Sequence, residues 1–314
     1  MNNSTGVEIN DHWIRSLRGS KNTVVEQIPY YWLVEKELAP SGGIVDVGII
    51  FLTNNECPYT CLMCDLWKNT TDKPVKAGSI PAQIEYALSR MPAVKHIKLY
   101  NSGSFFDTKA IPASDYSRIA DMLKGFERVV VECHPRLVNE KISEFSRMLE
   151  PRLEVAMGLE SANPDILKLL NKKMTMADYS VAVRFLNDND ILSRAFVLLR
   201  PPFMSENEGI EWAIRSVEFA FEQGTGSCTI LPVRGGNGAM EKLRNEGHFS
   251  PPKLKSLEYV HEKCIKPGKG LVFADTWDLE LFSDCGSCFL PRKERIETMN
   301  LTQVIPEPVY CTCS

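Results

Sequence analysis

The nine residues Glu56-Cys57-Pro58-Tyr59-Thr60-Cys61-Leu62-Met63-Cys64 constrain this chain more than any other stretch. They follow the apolar run Ile44-Val45-Asp46-Val47-Gly48-Ile49-Ile50-Phe51-Leu52-Thr53, which reads as a buried strand, so the cysteines sit on the loop that leaves it. Thiols separated by three and then two residues can converge on three corners of one cubic iron–sulfur cluster. The fourth iron then has no protein ligand nearby, and an open metal position can hold a small molecule and pass an electron to it. A structural zinc site would want four ligands in paired short spacings, and no further Cys or His lies within the next thirty residues. Disulfides would leave one of the three thiols over.

Composition sets limits around that feature. With 314 residues, 44% hydrophobic and 24% charged, the chain can bury one large core or two smaller ones. A net charge of −4 supplies no global basic field for a nucleic-acid partner, although a local basic groove stays open. The opening Met1 to Glu8 lacks the basic and apolar regions of a secretory signal, and no apolar run approaches membrane-spanning length. A cytoplasmic protein with no membrane partner is expected, and ten cysteines there point to metal ligation more readily than to disulfides.

Residues 1–43 read as a helical preface, with spaced apolar and aromatic residues over 11–18 and 27–38 before Pro40 and Gly42-Gly43 end the run. A regular alternation follows. Segments 44–53, 96–101, 128–132, 153–159, 194–199 and 228–232 are strand-length and rich in Val, Ile and Leu, as strands covered on both faces are. Between them lie helical stretches opened by Ser79 with Pro81, by Ser114, by Asn163-Pro164 and by the capping box at Ser205, the last closed by Gly224. Six strand–helix units in succession predict an α/β fold, a partial (β/α)6 TIM-like barrel spanning 44–234. The preface would cap it, and residues 235–314 would form a cysteine-rich C-terminal extension.

In such a barrel the functional groups gather at the carboxyl ends of the strands. There stand Ser102-Gly103-Ser104, where a glycine allows close backbone approach, then Glu132, Glu160 and Arg200. Carboxylates at the ends of buried strands are costly unless paired, ligand-bound or wet. A structural salt bridge is the competing reading for Arg200.

The cysteine spacing, the strand before it and Met63 resemble the signature of the radical S-adenosylmethionine enzymes. That resemblance implies a [4Fe-4S] cluster on Cys57, Cys61 and Cys64, and S-adenosylmethionine on the open iron. By it, the turn Ser102, Gly103, Ser104 meets the amino group of the cofactor's methionine. Glu160 and Glu132 serve its ribose and ammonium ends, and Arg200 its carboxylate. Ser102-Gly103-Ser104-Phe105, Val131-Glu132-Cys133-His134-Pro135, Gly158-Leu159-Glu160-Ser161, Asn171-Lys172 and Pro201-Pro202-Phe203 further resemble the Elongator-like branch, above all the group containing the radical subunit of archaeosine synthase. The likeness covers roughly residues 44 to 245. It departs at His134, where the typical family sequence has Arg before the proline. A family member of that kind cleaves a carbon–nitrogen bond in a lysine adduct on a modified guanine of tRNA.

The tail supplies a second cysteine group, Cys285 and Cys288 with Cys311 and Cys313, whose two close pairs suit zinc or a second iron–sulfur cluster. Reduced thiols at a frayed terminus are the plainer alternative. Cys133, Cys228 and Cys264 read as small packing residues, with Cys133 at a strand end that could face the site. The glycine-rich loop Val233 to Gly238 lacks the Lys-Ser/Thr sequel of a nucleotide triphosphate site, and Asp275-Thr276-Trp277-Asp278 takes no role.

Taken together, these features predict an enzyme that uses S-adenosylmethionine to make a 5′-deoxyadenosyl radical. That radical removes a hydrogen from tRNA or a nucleobase-derived compound, or else from a small molecule of a biosynthetic pathway. A flavodoxin- or ferredoxin-type electron donor and a partner subunit would accompany it. A non-catalytic iron–sulfur carrier or scaffold is the contrasting class, and no residue is singled out as catalytic.

Overall fold

The computed structural model describes residues 8–312. Eight strands form one sheet in sequential order: β1 (Tyr31–Leu38), β2 (Ile44–Leu52), β3 (His96–Asn101), β4 (Arg128–Glu132), β5 (Arg152–Glu160), β6 (Leu192–Leu199), β7 (Ser227–Pro232) and β8 (Leu271–Ala274). All pairs are parallel except β1 with β2. The helices are α1 (Asp11–Ser16), α2 (Ser79–Leu88), α3 (Tyr116–Met122), α4 (Glu140–Met148), α5 (Pro164–Leu169), α6 (Met176–Asp188), α7 (Glu206–Glu222), α8 (Ala239–Asn245), α9 (Leu254–Ile265) and α10 (Gly286–Thr302). The partial TIM-like barrel expected from the strand–helix alternation is borne out, and six of its strands fall within two residues of the apolar segments that announced them.

Local chemistry explains the helix starts. Asn163 accepts from the backbone N–H groups of Asp165 and Ile166 ahead of Pro164, and Ser205 with Glu208 closes a reciprocal capping box on α7. The apolar faces of α2, α3, α4, α6, α7 and α9 pack on the sheet around Ile50, Leu99, Val131, Val155 and Val197, all fully buried, while Ile166 of α5 packs in a second cluster with Ile14 and Leu62.

The preface departs from expectation. Residues 11–16 are helical as read, but Tyr31–Leu38 is a strand, antiparallel to β2. Its Tyr-Trp-Leu-Val start has β propensity, and Glu35 and Glu37, which look like helix-surface residues in sequence, lie two apart on the face turned into the barrel. A second unread strand, β8, comes from the extension. α10 packs against both β1 and β8 and so bridges the two edges of the sheet.

The amino-terminal end of the barrel is closed by charge. Glu37 meets Lys98 at 2.5 Å, Arg128 at 2.7 Å and Arg194 at 2.8 Å, Glu154 meets Arg194 at 2.7 Å and Arg128 at 2.9 Å, and Glu35 meets Lys98 at 3.0 Å. Three carboxylates balance three cations, which is what makes so much buried charge tolerable. Burial alone would raise the carboxyl of Glu37, but the surrounding cations outweigh it and hold it well below the ordinary range. The remaining open end is the one where the strands finish.

Candidate active site

The chain leaves β2 through Thr53 and Asn54, and both are gripped. Gln83 of α2 accepts from the Thr53 N–H and donates to its carbonyl, each at 2.7 Å. Asn54 donates to the Ser102 carbonyl at 2.9 Å and accepts from the Ser102 N–H at 3.1 Å, so the cysteine loop and the Ser102-Gly103-Ser104 turn are tied together. Beyond the first cysteine, Asn171 donates to the Thr60 carbonyl at 2.6 Å and the Leu62 N–H to the Leu170 carbonyl at 2.9 Å. Asn237 donates to the carbonyls of Leu62, at 2.7 Å, and Cys64, at 3.2 Å. The Tyr59 ring stacks on His134 with centroids 3.9 Å apart. Gly103, at φ +108°, is the close approach the sequence implied: a Cβ there would lie 3.0 Å from the Cβ and 3.1 Å from the Sγ of Cys57.

Cys57, Cys61 and Cys64 line one side of a cavity of about 600 Å³ at the carboxyl end of the strands. Burial pushes the Cys57 thiol up to about 12 and raises Cys61 and Cys64 as well, so these sulfurs become thiolates only beside a strong cation. They do not crowd as ligands of a single ion would: the described residues whose ligand atoms all lie within 4.8 Å of one another are a different trio, in the tail. Three soft donors on a clamped loop, spread about a cavity edge, fit a cluster held through three corners.

The strand-end carboxylates divide in character. Glu160 is paired with Lys172 at 2.6 Å, both of them buried. Burial works against the Lys172 charge, but Glu160 and the nearby Cys61 and Cys57 sulfurs outweigh it and hold its pKa above the ordinary value. Gly158 makes the pair possible, since a Cβ there would lie 2.2 Å from Glu160 Oε1 and 2.5 Å from Lys172 Nζ. Among the described residues Glu132 makes no ion pair; its Oε2 accepts from the Asn101 N–H at 3.0 Å, and burial, only partly offset by that bond and the Lys172 charge, pushes its carboxyl up to about 7. Glu160 also has a left-handed backbone, φ +62°, at a β-bulge, so its side chain is re-aimed at the strand end.

The structure brings Gly103, Glu132, Glu160 and the three cysteines to this one cavity. Ser102 is held by Asn54, and the Ser104 hydroxyl donates to the Cys133 sulfur at 3.2 Å. Arg200 stands elsewhere. Its guanidinium reaches Glu206 at 2.6 Å and the Pro251 carbonyl at 2.8 Å, and it is not among the residues lining the cavity. His134, the departure from the family pattern, has a structural explanation. Its Nε2 lies 3.1 Å from the Lys172 carbonyl, its Nδ1 accepts from the Arg136 N–H at 3.3 Å, and burial with the nearby Lys172 charge lowers its pKa to about 3. The neutral ring therefore props Tyr59 and the lysine segment.

Sequence reading missed several lining residues. Asn101 is 1% exposed, and both polar atoms of its carboxamide lack a hydrogen-bond partner. An aromatic file runs from Trp277, 41% exposed at the mouth, through Phe51 and Tyr100 to Phe196, with centroid separations of 5.6, 5.9 and 6.2 Å. Only Asn101 carried a signal, through its place before the Ser-Gly-Ser turn. Trp277 follows a strand too short to recognise.

In the tail, Cys285, Cys288 and Cys311 come together, while Cys313 lies outside the described residues, as does the amino-terminal Met1 to Val7. Among the described residues no helix is long and apolar enough to cross a membrane.

No protein-family model matches the chain. It is 28% identical over 289 residues to an uncharacterized protein of Methanocaldococcus jannaschii, covering 84% of this chain and 79% of that one. It is 27% identical over 244 residues to the archaeosine synthase subunit beta of Thermococcus kodakarensis, covering 73% of this chain and 75% of the relative. Among solved structures it resembles an amino-terminally truncated Elp3 of Methanocaldococcus infernus, with TM-score 0.52, 17% identity and 71% of this chain against 59% of the other. It resembles a radical SAM methyltransferase of Sphaerobacter thermophilus to the same TM-score, at 14% identity, over 78% of this chain and 76% of that one. At these identities the likeness to both solved structures shows a shared fold.

Proposed function

We propose that this chain is a radical S-adenosylmethionine enzyme that acts on a nucleobase-type substrate, as a carbon–nitrogen lyase or related modifying step on tRNA or a nucleobase-derived compound. The observation that carries the reading is the clamped three-cysteine loop opening onto a strand-end cavity that also holds two carboxylates and a glycine turn. Cys57, Cys61 and Cys64 would hold a [4Fe-4S] cluster, and Ser102, Gly103, Ser104, Glu132 and Glu160 the cofactor. When bound, the cluster and S-adenosylmethionine supply a one-electron cleavage that yields a 5′-deoxyadenosyl radical.

The protein's own contribution is position and dryness. Glu132, which makes no ion pair among the described residues, would receive an ammonium; the Glu160–Lys172 pair presents an acceptor edge beside the cysteines. The ionic floor closes the far end of the cavity and the aromatic file lines its wall, which would limit solvent beside a reactive species held there. Trp277 offers a planar face at the mouth, where a base can stack. Because the curated relative is named as a subunit, a partner supplying contacts to bulky RNA belongs to the proposal, as do a flavodoxin- or ferredoxin-type donor and a cytoplasmic setting.

The test is direct. Anaerobically reconstituted protein with dithionite and S-adenosylmethionine forms 5′-deoxyadenosine, and Cys61→Ala abolishes it; retained activity in that variant rejects the assignment. The net charge of −4 favours a second reading in which a small molecule is bound without RNA. Salt-dependent binding of bulk tRNA separates the two.

A further inference from the structure

The tail trio is a site of another kind from the cavity cysteines. Cys285 ends the loop before α10, Cys288 lies in that helix's first turn, and Cys311 returns to them from the far end of the chain. Its return path is built. After α10 the chain runs back along the helix, with Arg295 donating to the Pro306 carbonyl at 2.8 and 3.0 Å and to the Glu307 carbonyl at 2.9 Å, and Arg292 to the Val309 carbonyl at 3.3 Å. The three sulfurs lie within 4.8 Å of one another, and Cys285 Sγ and Cys311 Sγ are 3.7 Å apart.

That spacing discriminates between metal groups. Four thiolates around one zinc, with bonds of about 2.3 Å, stand about 3.8 Å apart along each tetrahedral edge. Corner ligands of a cubic cluster stand farther apart, because an iron–iron edge separates them. A disulfide is ruled out for the 3.7 Å pair, whose sulfurs are well beyond the bonded distance of about 2.05 Å. We propose that Cys285, Cys288 and Cys311, with Cys313 as fourth ligand, hold a single structural zinc ion that staples the chain end to the amino terminus of α10. In the sequence Cys313 follows Cys311 by two residues and supplies the fourth thiol of the set. The helix N-terminus and the Arg292 guanidinium beside Cys288 offset the negative charge that four thiolates leave on such a site.

The staple has a consequence for the cavity. α10 bridges β1 and β8, its Asn300 lines the cavity and is hydrogen-bonded both ways to Ala274, at 2.8 Å each, and the loop carrying Trp277 runs between β8 and α10. Fixing the start of α10 would tether the helix that carries this wall residue near its other end. This inference is independent of the reaction proposed for the cavity.

Metal analysis of the purified full-length protein tests it. About one zinc per chain is expected in addition to the iron, and Cys285→Ser, Cys311→Ser and Cys313→Ser each lose the zinc while iron and acid-labile sulfide stay unchanged. Cobalt substituted for zinc gives thiolate charge-transfer and tetrahedral d–d bands that Cys311→Ser lacks. The proposal is overturned if iron and sulfide fall in the tail variants, if zinc content is the same with and without these cysteines, or if thiol titration finds the four oxidised in zinc-free protein. Should Cys285→Ser fail to fold, the variants at 311 and 313, at the chain's end, still read the outcome.

Discussion

The Lys172–Glu160 pair offers the sharpest perturbation of the cavity. Its atoms are 2.6 Å apart and both side chains are under a tenth exposed, so at an effective dielectric near 20 the attraction is about 6 kcal/mol. Part of that is offset by desolvation, and removing one partner of such a pair costs about 3–5 kcal/mol because the other is stranded. Lys172→Met is therefore expected to lower the melting temperature of the reconstituted protein by about 6–10 °C at pH 8, at roughly 2 °C per kcal/mol for a chain this size. The sign with pH is fixed by the stranded group. Lys172 is held above its ordinary value, so in the wild type its contribution is intact below about pH 10 and flat from pH 5 to 8. In the variant a carboxyl that prefers its proton in the folded state loses stability as pH rises, so the deficit shrinks toward pH 5. Lys172→Met/Glu160→Leu removes the stranded charge and recovers most of the loss. A fall below 2 °C, or a deficit that is the same at pH 5 and 8 and in both variants, would refute the reasoning.

Glu132 titrates near 7, so a cationic ligand binds more tightly as pH rises from 6 to 8; Glu132→Gln flattens that dependence in equilibrium dialysis with S-adenosylmethionine. Gly103→Ala places a methyl about 3 Å from Cys57 at a left-handed φ, and is expected to reduce iron and labile sulfide after reconstitution with little loss of helix content by circular dichroism. Trp277→Ala removes a stacking face worth about 1–3 kcal/mol and raises the substrate KM roughly 5- to 150-fold, leaving 5′-deoxyadenosine formation without substrate unchanged. Glu37→Gln leaves Arg128 and Arg194 under-compensated in the barrel floor and costs about 3–5 kcal/mol in denaturant unfolding.

The parallel strands were legible because burial on both faces makes them continuous apolar runs, and their carboxyl ends carried the site with them. Residues 31–38 were not, because only the first half of the segment has β-forming chemistry. Its Glu35 and Glu37 are satisfied by Lys98, Arg128 and Arg194 from strands 61 to 157 residues later, and no local window contains those partners. Arg200 failed for a related reason. It does stand at a strand end, but a left-handed backbone and Glu206 six residues on turn it away from the cavity. Left-handed conformations at Glu160, Lys173 and Arg200 have no sequence signature, since none is glycine or asparagine.

The two ends of the barrel together constrain how any reaction here runs. The floor is shut by six balanced charges, and α10 covers the gap between the sheet edges, so substrate enters past the strand ends. The cysteine loop and Trp277 both line that opening, with the indole packed on Phe51 and the aromatic file leading on through Tyr100 to Phe196. A substrate anchored by a planar group on Trp277 would project its remaining atoms toward the cysteine side, between Glu132 and the Glu160–Lys172 pair. Under the proposed function, β8 and its loop would read the substrate, while the strand ends of β2 to β5 would carry the reactive machinery. Changes at Trp277 are then expected to alter which compound is processed, and changes at Glu132 or Lys172 how well anything is.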